Sequence, residues 1–69
     1  MATEQEAIDA LIHTLNNANH TIERVGAAEG LGIAGGERAR AELIKVLTTA
    51  RHAEVRAAAA KALGRATHR

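Results

Sequence analysis

Val55-Arg56-Ala57-Ala58-Ala59-Ala60-Lys61-Ala62-Leu63-Gly64 reads as one helix and admits little else. Alanine has the highest helix propensity, and neither proline nor a β-branched run breaks the stretch. Val55, Ala58, Ala59, Ala62 and Leu63 recur at spacings of three and four, which places them on one apolar face. The predicted helix covers about 53 to 66.

Working outward, the chain repeats itself. A shift of 32 residues pairs Leu11 with Leu43, Ile12 with Ile44, Leu15 with Leu47 and His20 with His52. It also pairs Arg24 with Arg56, Leu31 with Leu63 and Gly32 with Gly64, and the other identities are alanines. Each copy then holds two helices, and a period in the thirties with two helices per unit marks a helical solenoid. The first helix is predicted over about 4 to 17. It opens on a Thr3/Glu6 capping box and has Ile8, Leu11, Ile12 and Leu15 on one face. Asn16, Asn17 and Asn19 mark its end and the next start. The second helix is predicted over about 21 to 34, closed by Gly35-Gly36. The third covers about 37 to 50, with Leu43, Ile44 and Leu47 inward. Connections of two to four residues make neighbouring helices antiparallel. The expected fold is all-α: one domain over 1–69, four helices in two hairpins, with repeat one at about 4–35 and repeat two at about 36–67.

The string V-R-x-A-A-A-x-A-L-G at Val55–Gly64 resembles the second helix of a HEAT-like repeat, of the short alanine-rich type also found in phycobilin lyases. Arg24 through Gly32 resembles the same helix in degraded form. The resemblance implies a short α-solenoid whose second helices line a concave surface that holds partners, and an Arg24/Arg56 pair with a structural role. It also implies an Asp shortly before each Arg, where this chain has His20 and His52, and a valine where it has Glu23.

Composition narrows the chemistry. Hydrophobic residues are 46% of the chain, but 17 are alanine and only 14 are Leu, Ile or Val. So thin a core in 69 residues, with no disulfide or metal staple, points to association as a source of stability. There is no Cys, Ser, Tyr, Phe, Trp or Pro. Cysteine and serine nucleophiles, thiolate metal sites and aromatic stacking on bases are therefore excluded. Neither a membrane-length apolar run nor a signal-like N-terminus is present, so a cytoplasmic location is expected.

Charge is asymmetric. Residues 1–34 hold five acids and one base, a balance of −4, whereas residues 35–69 hold three acids and eight bases, a balance of +5. An acidic half followed by a basic half is attracted to its own copies, end to end or as a two-fold homodimer. On the exposed side of the second helices, Val25, Glu29 and Ile33 fall beside Lys61 and Arg65. These five are the expected partner-binding residues, with the Gly26/Gly30 face as a second possibility. The expected function is a non-catalytic protein–protein interaction scaffold that self-associates. The alternative is a nucleic-acid or polyanion binder using Arg51, Arg56, Lys61, Arg65 and Arg69. A formal net charge of +1 and the lack of aromatics weigh against it.

Other motifs carry less. Gly30-Leu31-Gly32-Ile33-Ala34-Gly35 spells G-x-G-x-x-G, but a dinucleotide fingerprint follows a strand and opens a helix, whereas this one closes a helix. No two of His13, His20, His52 and His68 are spaced three or four apart as helix-borne metal ligands are, so no metal or cofactor is expected. The repeat-matched His20 and His52 leave open a pH-sensitive interface. The three glycines inside the second helix admit two readings. They allow close approach by another helix, or else they reflect drift in a tolerant repeat or a tight crossing with the fourth helix.

Overall fold

A computed structural model describes residues 3–68, and Arg69 of the expected basic patch lies outside them. The described residues form four helices and no strand: α1 (Glu4–Asn17), α2 (Thr21–Ala34), α3 (Glu37–Thr49) and α4 (Ala53–Thr67). The last two end within a residue of the sequence-based limits, where helix termini fray.

Local chemistry sets each boundary. At α1 the capping box forms in both directions: the Glu6 amide donates to Thr3 Oγ1 at 3.1 Å, and the Thr3 amide donates to Glu6 Oε1 at 2.7 Å. At its other end, Asn16 and Asn17 each donate from Nδ2 to the carbonyl four residues back, Ile12 and His13, both at 2.9 Å. Those carbonyls lie just before the last four of the helix, the first of which, Thr14, accepts from the Ala18 amide at 3.0 Å. Helix α2 stops at Gly35 and Gly36, which have φ of 69° and 92°. A side chain is strained there, so the two-residue reversal between the hairpins depends on glycine.

The two hairpins, α1–α2 and α3–α4, stack mainly through their second helices. The packing of α2 on α4 is the most extensive between elements, while α1 barely touches α3. Leu15, Leu31, Leu43 and Val55 are fully buried, with Ala28, Ala39 and Ala59 filling the gaps between backbones. No polar or charged side chain is buried among the described residues. Small residues let α2 and α4 approach closely, and the apolar area they bury is the main cohesive term.

One expectation for the second hairpin needs correction. Ile44, expected inward, is 51% exposed, and Val46 is buried instead. Leu43 and Val46 lie on the core face, while Ile44 lies on the side where the described residues place no further hairpin, unlike its counterpart Ile12, which packs against the core. Leu63 and Leu47 pack against the core as expected, but they are only half-buried, whereas their counterparts in the first hairpin, Leu31 and Leu15, are fully buried. The difference is positional: the first hairpin has a neighbour stacked on it at that side, and the second does not.

Candidate protein-interaction surface

The outer side of the α2/α4 layer carries two adjoining grooves. The larger, about 540 Å³, runs between the N-terminal halves of the two helices and is lined by Ile22, Val25, Ala57 and Ala58, with Glu54 at one edge. The smaller, about 240 Å³, continues toward the C-terminal halves with Ile33, Ala62 and Arg65. Glu29 and Lys61 line both and so mark their junction. All five expected contact residues, Val25, Glu29, Ile33, Lys61 and Arg65, therefore come together along one face.

Sequence reasoning missed the most exposed apolar member. Ile22 is 80% exposed, at the groove's open end. The signal was available, since positions 22, 25, 29 and 33 step by three and four along one helical stripe. Glu29, Glu54 and Lys61 make no side-chain hydrogen bond or ion pair among the described residues. The ion pairs found there are Arg38–Asp9 and Lys45–Glu42. The groove thus offers an apolar floor with acidic and basic groups uncommitted around it.

The basic patch is divided. Arg56 is half-buried, and its guanidinium donates to the Ala50 and Arg51 carbonyls at 2.7 and 3.0 Å. Arg24 does the same one hairpin earlier, donating from Nε to the Leu15 carbonyl at 2.9 Å. Each arginine thus satisfies carbonyls at the C-terminal end of the preceding helix, where the helix dipole favours a cation. His20 and His52 are the N-caps of α2 and α4 in extended backbone and supply no side-chain cap. Both arginines bond backbone acceptors, and neither pairs with a residue at position 20 or 52. Arg51 is exposed beside a polar hollow with Asn16, Arg24 and His52, while Lys61 and Arg65 sit on the grooves farther along α4.

The helix-two glycines serve different ends. A Cβ on Gly32 would meet Ala62 Cα at 2.8 Å, so this glycine permits the crossing with α4. A Cβ on Gly30 would meet the Leu11 side chain at 3.0 Å, which places that side of Gly30 against α1. Only Gly26 faces open space. Gly30 and Gly32 lie within α2, so they present no free helix N-terminus to a phosphate. Among the described residues, no three His, Asp or Glu side chains converge in a metal-binding arrangement, and no helix is long and apolar enough to cross a membrane.

No curated protein and no solved structure matches the chain. A family model for HEAT repeats matches residues 2–66. HEAT repeats are in general protein-interaction modules, and the family is typically a non-catalytic scaffold. The internal repeat of 32 residues, the paired hairpins stacked through their second helices and this match agree: the chain belongs to the HEAT-repeat family.

Proposed function

We propose that this chain is a non-catalytic interaction module that holds a protein partner along the α2/α4 grooves and associates with copies of itself. Each hairpin acts as one repeat unit, about 4–35 and 36–67. The observation that carries the partner reading is Ile22, 80% exposed above a floor of Val25, Ala57 and Ala58. An isoleucine held in water at the mouth of an apolar groove favours an occupant that buries it. Glu29, Glu54 and Lys61 give that occupant a choice of charges, which suits an amphipathic helix with small apolar anchors. The division of the basic residues favours a protein partner over a polyanion, because Arg56 is already committed to carbonyls.

Affinity capture from the native host tests the partner reading. Proteins held by the wild type are expected to be lost with an Ile22→Asp/Lys61→Glu variant, and an unchanged captured set overturns the groove assignment. Light scattering at low and moderate salt tests self-association, which a concentration-independent mass of 7.2 kDa overturns. A mobility shift with short duplex or single-stranded nucleic acid would favour the polyanion reading instead.

A further inference from the structure

We infer that copies of this chain stack head to tail, the open side of the α3–α4 hairpin of one copy docking on the open side of the α1–α2 hairpin of the next. The inference rests on the self-association reading and specifies its geometry. Where the 32-residue repeat pairs like residues, a difference in their burial reports what the neighbouring hairpin covers. Leu15 and Leu31 are fully buried, but the matching Leu47 and Leu63 are half-buried and Ile44 is half-exposed. On the opposite side the asymmetry reverses. Ala39, Leu43 and Ala58 are buried, whereas the matching Ala7 and Gly26 are exposed and Leu11 is half-buried. The described residues therefore contain one complete hairpin-to-hairpin interface and, on their two outer sides, the two unmated halves of the same interface.

The glycines support the same register. Gly32 lies where a Cβ would strike Ala62 at 2.8 Å, while a Cβ on the matching Gly64 meets nothing within 4 Å. Advancing by one repeat sets Gly64 against Gly30 of the next copy, the position that matches Ala62. Close approach is then available at the junction as it is inside the chain. Charge selects the occupant. Residues 1–34 carry −4 and residues 35–69 carry +5, so a head-to-tail junction joins unlike halves. A two-fold contact through either open side sets like against like. At the groove, Lys61 of one copy falls beside Glu29 of the next, as Glu29 lies beside Lys61 within the chain. Such a heterologous contact leaves a free end at each step and extends unless it closes into a ring.

Two variants, one for each open side, test this. Ile44→Glu/Gly64→Ala blocks one side and Ala7→Glu/Gly26→Glu the other, all at exposed positions. The wild-type mass by analytical ultracentrifugation is expected to rise with concentration beyond a dimer. Each variant alone is expected to associate about tenfold or more weakly, and an equimolar mixture to form a pair that grows no further. Circular dichroism and thermal melting verify the fold of both, and Gly64→Ala alone is expected to raise the melting temperature while weakening assembly. If the wild type associates but the Ala7→Glu/Gly26→Glu variant still dimerises alone, the contact is symmetric and the head-to-tail geometry is overturned, while self-association stands. A wild type that stays monomeric at every concentration overturns both.

Discussion

The backbone of Gly32 lies against Ala62 so closely that a Cβ at Gly32 would sit 2.8 Å from the Ala62 Cα, Cβ and carbonyl oxygen alike. This contact fixes the depth at which α2 and α4 cross, and with it the width of the grooves that flank the crossing. Cohesion and candidate site are thus set by the same pair of helices.

Gly32→Ala is expected to destabilise the fold although alanine is the better helix former. The gain in propensity is about 1 kcal/mol, whereas forcing a methyl into backbone that cannot retreat costs about 1–3 kcal/mol. Gly26→Ala isolates the propensity effect, because a Cβ there meets nothing within 4 Å. It is expected to stabilise by about 0.5–1 kcal/mol. Urea melts of the two variants check the opposite signs.

Arg56→Ala is expected to cost about 1.5–2 kcal/mol, the lower part of the range for hydrogen bonds to a charged group, since the side chain is half-buried. Arg56→Lys should recover only part of the loss, because both carbonyls are met by Nη1 at the far tip of the guanidinium, and the shorter lysine stem does not carry its ammonium as far. Chemical denaturation of the three proteins orders them. A lysine variant as stable as the wild type would show that the charge alone suffices.

What the sequence made legible here follows from period and propensity. Helix limits, the Thr3/Glu6 box and the glycine reversal at Gly35-Gly36 are local, so each is readable within a few residues. The line-up of Val25, Glu29 and Ile33 with Lys61 and Arg65 needed only the repeat shift and two helical stripes. Ile44 was misplaced because its repeat partner Ile12 packs against the core, and a shift that preserves residue type takes no account of which hairpin has a neighbour on that side. The role of Arg56 was legible only as a structural one. Its carbonyl partners depend on how the α3–α4 turn folds back, and a helical pattern does not carry that information.

Thr3→Ala is expected to lower stability by about 1 kcal/mol, the usual cost of losing an N-cap. The Glu6 amide loses its acceptor, and the reciprocal bond from the Thr3 amide to Glu6 loses the geometry that holds it. Thr3→Ser keeps the hydroxyl and should stay within a few tenths of a kcal/mol of the wild type. Thermal melts followed by circular dichroism at 222 nm separate the two.

Asp9 and Arg38 join α1 to α3 across a gap where those helices scarcely pack, so this ion pair is a natural suspect for holding the hairpins together. Both side chains are about half exposed. A pair in that setting contributes about 0–1 kcal/mol and weakens with salt. Leu31 is buried completely beneath the α2/α4 layer, where truncation removes about 2–5 kcal/mol. Asp9→Asn is therefore expected to leave the urea midpoint nearly unchanged between low and high salt, while Leu31→Ala leaves the chain largely unfolded. If Asp9→Asn proved as damaging as Leu31→Ala, the outer helices would be the clasp, and the crossing at Gly32 and Ala62 would lose its place as the element that sets the groove.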